Sequence, residues 1–517
     1  MYQALLTRKY LTSKIMPLLA MVAVLLSVAT VLITWSVMGG FLRMLLDSGR
    51  VLVGDVTITW PATGFAYYDE LVDDLEKDDL FVAATPVIEY FAQIQLPDGR
   101  PTEVYVKGVD PEGFDRVTGY MAHVWWRPMT EPTSHDEHGE DWRLDPTRQG
   151  PLAQFLANAK SMTRSDDAAP ARPAAILGIE VTNFNQRESA GIYTPFNPVR
   201  TLPDGTTEVL PIFMPSNGEI ILTVLPPAKG GGIVAEPVTR SIPVANEFQS
   251  GIYEADKNSV LVPFGWLQSL LNLGEARRVT RPGMFDNVID PATGEPIPAP
   301  VSGETISPAR ATSVIARARD GANPDEIRKR ASEIYAAFAK RHAGEVPSAS
   351  AIDVATWEDL NRTLVAAVKK ETGLVLFIFG IICFTTVFLV LAIFWAMINE
   401  KTRDIGILRA LGASVNGVAG MWLSYGFALG LVGSVLGVVA ATLIVHNINA
   451  IHTWLGKTFG LVIWDPRVYY FVEIPSKVVP VNALVILLAG VATCLLGAAI
   501  PAFRSARMDP VKSLRFE

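Results

Sequence analysis

Four stretches of this 517-residue chain, 15–42, 372–399, 410–445 and 478–503, contain no Asp, Glu, Lys or Arg. Each exceeds the roughly 20 apolar residues that cross a bilayer core of about 30 Å. As buried helices of a soluble protein, several would have to lack any solvent-facing stripe. The sequence therefore predicts a polytopic α-helical membrane protein with four transmembrane helices. The first stretch follows Arg8, Lys9 and Lys14 as a signal peptide would, yet its apolar part far exceeds the roughly 7 to 15 residues of a signal core. With MGGFLRMLL a poor cleavage context, it reads as a retained helix.

Short flanks rich in Lys and Arg mark the cytoplasmic side. Four spans place three flanks together, and these carry ten basic residues: Arg8, Lys9, Lys14, Lys401, Arg403, Arg409, Arg504, Arg507, Lys512 and Arg515. Against them stand four acids, Glu400, Asp404, Asp509 and Glu517, whereas the whole chain has 44 Lys and Arg against 52 Asp and Glu. Both termini are expected in the cytoplasm, with residues 43–370 forming an acidic extracytoplasmic domain between the first two spans. That charge argues against nucleic acid as a partner. Both cysteines, Cys383 and Cys494, fall in spans, so the outer domain is expected to hold together by its core and not by disulfides.

Within the outer domain, VLVGDVTITW (51–60) alternates as a strand does, and YYDELVDDLEKDD (67–79) has helical spacing. VIEYFAQIQL and TEVYVKGVD, joined by PDGR, read as a hairpin. The theme returns in EIILTVLPP (219–227), SVLVPFGWLQSLLNL (259–273), TSVIARARD (312–320) and a helix at PDEIRKRASEIYAAFAKRH (324–342). This predicts an α+β domain with mixed sheets, in one lobe or two. Two polar or Pro-rich inserts, 127–172 and 281–308, read as partly mobile surface loops.

Catalytic motifs are missing: no GxSxG, SxxK or HExxH occurs. His135, Asp136, His138 and Asp141 crowd together in HDEHGED, but a polar run without Cys reads as a solvated loop, and no metal site is expected. GKT at 456–458 imitates the end of a phosphate loop, yet Ile451 stands where the required Gly would be, on the side away from ATP. KGGG at 229–232 reads as a flexible turn. No catalytic residue and no cofactor are expected in this chain.

The spans lack any acid or base at mid-membrane depth, so there is no candidate proton relay or ion-coupling site. Uphill transport would have to draw its energy from elsewhere. In the third span Gly426, Gly430, Gly433 and Gly437 share one face, which suits close helix packing within the four-helix unit or a dimer seam. In the first span Ser27, Thr30 and Thr34 share a face, either as hydroxyls bonded to backbone or, with Val37 and Met38, as the lining of a substrate cavity.

Between the second and third stretches lies NEKTRDIGILRALGAS (399–414). Lys401, Arg403, Asp404 and Arg409 are polar, Ile405, Ile407, Leu408 and Leu411 are apolar, and Gly412 sits where a helix C-cap would. A short amphipathic helix at the cytoplasmic surface buries its apolar side either in the bilayer interface or in a groove on a partner protein. Tyr2, Leu5, Leu6 and Tyr10 suggest a further interfacial helix before the first span.

At this segment the chain resembles a known superfamily. EKTRDIGILRALGAS (400–414) is similar to the cytoplasmic loop of ABC permeases built with four spans and a large outer domain between the first two. They include lipoprotein-releasing (Lol-type), macrolide-exporter-type and cell-division permeases. The ending PAFRSARMDPVKSLRFE (501–517) resembles theirs, with a Pro, the Ala506-Arg507 pair and DPV before Leu514 and Arg515. The close of the first span, Ser36, Val37, Met38, Gly39, Gly40, Phe41, resembles Lol-type permeases, with Gly39 in place of the usual Asn. VKGVDPEGF (106–114), GIYEAD (251–256) and the pair Thr356, Trp357 are similar to Lol-type landmarks as well. The outer domain is longer than that resemblance leads one to expect, and no docking hairpin for a lipoprotein carrier is identifiable, which leaves the cargo open.

The resemblance implies an ABC transporter permease subunit of the bacterial inner membrane. It would pair with a second copy or a paralogous permease and with a cytoplasmic ATPase dimer that binds ATP and Mg. Residues 400–417 would hold the coupling helix, with Ile405, Ile407, Leu408 and Leu411 in the ATPase groove, Glu400, Lys401, Arg403, Asp404 and Arg409 orienting it, and Gly412 ending it. Motion passed outward would extract lipoproteins or other amphiphiles, handed to a periplasmic carrier. The alternatives are regulation of an outer hydrolase and macrolide-type efflux. The expected division is 1–14 interfacial helix, 15–42 first span, 43–370 outer domain, 371–399 second span, 400–417 loop, 418–447 third span, 448–477 outer loop, 478–503 fourth span and 504–517 tail.

Overall fold

A computed structural model describes residues 15–131, 141–165, 170–187, 192–201, 206–226, 236–279, 287–289, 296–298, 304–461 and 474–509. The expected interfacial helix at 1–14, His135, Asp136 and His138, the KGGG turn and the last residues of the tail lie outside these. The described residues form two compact units, one from the helices up to Met44 with residues 363–461 and 474–509, the other from Leu45–Arg362.

In the first unit four helices are long and apolar enough to cross a membrane: Met16–Met44, Gly373–Glu400, Val415–His446 and Pro480–Ala506. Local signals set their ends. Ser414 Oγ accepts a hydrogen bond from the Gly417 N–H at 3.1 Å and caps the third span, and Pro480 opens the fourth, where its missing N–H costs nothing. A core of Val24 and Val28 from the first span, Val390 and Phe394 from the second, Leu429 from the third and Cys494 and Ala498 from the fourth joins them. The second span is the least covered, with Phe377, Ile381, Phe384 and Phe388 exposed. The expected outer loop at 448–477 begins with a further helix, Ile448–Phe459.

The second unit is built on a nine-stranded mixed sheet. Its strands are β1 (Val56–Thr59), β2 (Phe81–Gln95), β3 (Pro101–Val109), β4 (Ala175–Gly178), β5 (Glu219–Val224), β6 (Val238–Phe248), β7 (Ser259–Pro263), β8 (Ser313–Ala318) and β9 (Asp353–Thr356). The order is β5-β6-β4-β7-β3-β2-β8-β1-β9, and β5 also pairs with the far end of β2, Ile221 opposite Gln95. That last pairing closes six strands into a ring, which removes the edges an open sheet would expose. Every second residue points inward: Ile88, Ala92 and Ile94 of β2, Val104 and Val106 of β3, Ile220 and Leu222 of β5, and Val260 and Val262 of β7 form one core.

The remaining strands carry the two helices the sequence predicts. Helix Pro324–Arg341 starts where Asn323 Oδ1 accepts from the Asp325 N–H at 2.9 Å. It buries Ile327, Ala331, Tyr335 and Phe338 against β1, β8 and the helix Tyr68–Glu76. Spacings of four, four and three residues put these on one face.

One expectation fails in this unit. The insert at 127–172 is not simply a loop: its described part contains the helix Gln149–Ser161 and a buried ion pair, Arg143 to Asp141 at 2.6 Å. The Arg143 guanidinium lies 3.8 Å from the Trp125 ring centroid, and Trp126, Trp142 and Phe213 meet edge to face or tilted. Aromatic and cation–π contacts fold a segment whose composition is polar. Most of the insert at 281–308 lies outside the described residues, though strand Glu304–Ser307 pairs with Ala276–Val279.

Among the described residues of this unit three acids are buried, Asp141, Glu247 and Asp256. Glu247 of β6 is fully buried and accepts hydrogen bonds from Trp126 Nε1–H at 2.6 Å and Asn185 Nδ2–H at 2.9 Å. Burial dominates and pushes its carboxyl up to about 7, with hydrogen bonds from Trp126, Asn185 and Thr182 opposing the shift.

Candidate functional site

The segment between the second and third spans is the helix Thr402–Ala410. It hangs directly on the second span, since Lys401 N–H donates to Met397 O at 3.1 Å and Thr402 Oγ1 donates to Asn399 O at 2.9 Å. Its other end is closed by a Schellman turn. Gly412 takes a left-handed φ of 95°, its N–H donates to Arg409 O at 3.1 Å, and the Ala413 N–H donates to Leu408 O at 3.0 Å. Arg409 Nη1 donates to Ala413 O at 2.8 Å across the same turn, and Lys401 Nζ pairs with Asp404 Oδ2 at 2.9 Å.

These bonds fix which side of the helix faces out. Arg403, Ile407, Ala410, Leu411 and Gly412 are exposed, Leu408, Asp404 and Arg409 are half-buried, and Glu400 is exposed at the end of the second span. Leu411 is 80% exposed and Ile407 44%. Ile405 is 1% exposed and belongs to the core formed by Ile398, Val418, Ala502 and Ala506. It is therefore removed from the apolar group assigned to a partner's groove. The signal was present in the sequence: at about 100° per residue Ile405 lies on the opposite side from Arg403, Ile407 and Leu411. The result is an outward apolar stripe flanked by Arg403, on a helix pinned from behind by Ile405.

The four glycines of the third span meet two different helices. A side chain on Gly426 or Gly430 would come within 2.9 Å and 2.8 Å of Ala498 and Cys494 in the fourth span. One on Gly433 or Gly437 would come within 3.0 Å and 2.8 Å of the Met21 and Leu25 carbonyls in the first. The chain's own helices fill the whole face. The matching glycines of the fourth span, Gly490 against Ser434 and Val28 and Gly497 against Val390, escaped the sequence reading.

The proposed cavity residues are not brought together. Ser27 lines a void of about 40 Å³ with Val24, Cys383, Thr386 and Thr493. Thr30 is exposed, Thr34 donates to the Thr30 carbonyl at 3.0 Å, and Val37 and Met38 are half-buried away from the void. Among the described residues no group of three or more His, Cys, Asp and Glu is placed to hold a metal. Of the HDEHGED run only Asp141 is described, and its carboxylate is bound to Arg143.

The helix, its glycine-packed neighbours and the fourth span together define a unit that can be compared with known proteins. Residues 376–510 match the FtsX-like permease C-terminal family. Among curated proteins, the chain is similar to the lipoprotein-releasing system transmembrane protein LolC of Xylella fastidiosa (strain Temecula1), 28% identical over 182 residues, 34% of this chain and 44% of that protein. LolC of Neisseria meningitidis is 26% identical over 167 residues, 32% and 40% of the two chains. LolE of Haemophilus influenzae is 27% identical over 138 residues, 26% and 32%. The matches thus span less than half the length of these relatives. Among solved structures, the periplasmic region of MacB from Actinobacillus actinomycetemcomitans covers 62% of this chain and 97% of its own at 10% identity, with a TM-score of 0.26. The segment matched by the family model contains the surface helix in full.

Proposed function

We propose that the protein is the permease subunit of an ABC transporter, driven by a separate ATPase that binds ATP and Mg, and that it draws lipoproteins or similar amphiphiles out of the bacterial inner membrane. The observation that carries this is the outward stripe of Ile407 and Leu411 beside Arg403, on a helix clamped between the second and third spans. A helix that served only to float at the membrane interface would not need Ile405 locked into the bundle behind it. Closure of the ATPase would push the stripe, and Ile405 and the Schellman turn would carry the push into the second, third and fourth spans. The lipoprotein cargo is supported by the likeness to LolC and LolE, whose names describe lipoprotein release. A second permease copy or paralogue would cover the exposed aromatic face of the second span, Phe377, Phe384 and Phe388. Both ends of the chain would lie in the cytoplasm.

Site-specific photo-crosslinking in cells tests this reading. A photoreactive residue at Leu411 should capture the ATPase while one at Val418, which is buried, should not; one at Thr30 should capture acylated protein during turnover. Capture of lipid alone from Leu411 would return the helix to the bilayer interface.

A further inference from the structure

A pocket of about 530 Å³ opens at the other end of the membrane unit, where the third span stops and the fourth begins. It is independent of the surface helix and of any ATPase. Its polar lining comes from Thr442, His446, Asn449, Ser476 and Lys477, and its apolar lining includes Val445 and Val478. Among the described residues that line it there is no Asp or Glu.

The wall is built rather than draped. The Ile474 N–H donates to Asn449 Oδ1 at 2.8 Å, the Lys477 N–H donates to Ser36 O at 3.2 Å, and Ser476 Oγ donates to Val445 O at 3.4 Å. These bonds tie residues 474–477 to the first and third spans and to the helix Ile448–Phe459. The Asn449 side-chain oxygen accepts from Ile474, and its amide N–H groups remain to donate. Lys477 offers only donors as well, so the pocket is shaped for an acceptor carrying negative charge. The carbonyl end of the third span would oppose an anion, but the helix Ile448–Phe459 begins within two residues and brings its N-terminal N–H groups to the same place.

Depth points to the kind of anion. His446 is the last residue of a helix able to cross the bilayer and Pro480 the first of the next, so the pocket lies at headgroup level with Val445 and Val478 on its hydrocarbon side. The neighbouring helix exposes Trp454 and Phe459, their rings edge to face with centroids 5.7 Å apart, and aromatic side chains of this kind gather at the membrane interface. We propose that this pocket binds the phosphate of a membrane amphiphile, with Lys477 as its main cation and the acyl portion running along Val445 and Val478.

The test uses the purified full-length protein in nonionic detergent, with bound lipid counted by native mass spectrometry. The probes are dioctanoyl-phosphatidylglycerol, dioctanoylglycerol and inorganic phosphate. Phosphatidylglycerol should bind saturably, Lys477→Gln should weaken it about tenfold, and Lys477→Arg should restore it. Lys477 is exposed, so these variants should unfold at the wild-type temperature. Dioctanoylglycerol should bind at least about tenfold more weakly than phosphatidylglycerol, since it lacks the charged acceptor. Equal binding by wild type and Lys477→Gln, or by the two lipids, overturns the proposal. Displacement by millimolar inorganic phosphate overturns the amphiphile assignment and makes free phosphate the ligand.

Discussion

Replacing Ile407 and Leu411 together by Glu separates a docking stripe from an ordinary surface helix. In the isolated protein Leu411 is 80% and Ile407 44% exposed, so folding depends little on either. Full burial of such a side chain contributes about 1.5 to 3 kcal/mol, and the exposed fractions leave about 2 to 4 kcal/mol for a partner to collect. Losing that much weakens binding about 30-fold to 1,000-fold, before the added cost of placing carboxylates in a protein groove. The variant should insert and melt as wild type does, yet lose the ATPase on co-purification and lose coupled turnover in nanodiscs. Ile405→Ala supplies the contrast: at 1% exposure it should cost about 2 to 5 kcal/mol of folding stability and lower the melting temperature. ATPase recovery at wild-type levels with the double variant would refute the stripe as a docking surface.

Three further outcomes follow from the structure. Gly430→Val places atoms within 2.8 Å of Cys494 and should destabilise the membrane unit by about 1 to 3 kcal/mol in detergent melts, whereas Gly420→Ala, with nothing within 4 Å, should be silent. Glu247 has a folded-state pKa raised to about 7, above its unfolded value, so the folded state holds the extra proton and the outer unit should lose stability as pH rises from about 4.5 to 7. Glu247→Gln keeps an acceptor for Trp126 and should flatten that slope, gaining on the order of 3 kcal/mol over wild type at pH 8; an unchanged slope in melts from pH 5 to 8 would count against it. Reporter fusions at Asp509 and in the 400s loop should report the cytoplasm and one within 134–140 the opposite side, and an outward report from Asp509 would break the four-span topology.

What the sequence made legible was whatever one residue type decides locally. Absence of charge marked all four spans, because a single Lys or Glu at mid-bilayer is costly, and Gly412 marked the end of the surface helix through its left-handed φ. The α+β character of the outer unit and its helix at 324–341 were equally plain from spacing. Contacts between distant residues were not. Closure of the sheet ring rests on Ile221 meeting Gln95, and nothing in either strand's alternation names its partner. The insert at 127–172 reads as a partly mobile loop because its composition is polar, while the pairing of Arg143 with Asp141 beside Trp125 is a tertiary event. At the candidate site the helix and its apolar character were legible, but which Ile faced inward needed its angular position weighed against the spans that flank it.

The turn at Gly412 has a bearing on how such a helix can diverge. Only Leu411, Gly412, Ala413 and Ser414 separate it from the third span, and all four are committed to backbone bonds or to a cap. A connection that short has no slack to take up an inserted or deleted residue: a one-residue change within the helix would swing the outward side chains by about 100° and carry Ile405 out of the bundle. The exposed side chains at 403, 407, 410 and 411 can be exchanged without disturbing the turn, while the length of the segment stays fixed by geometry.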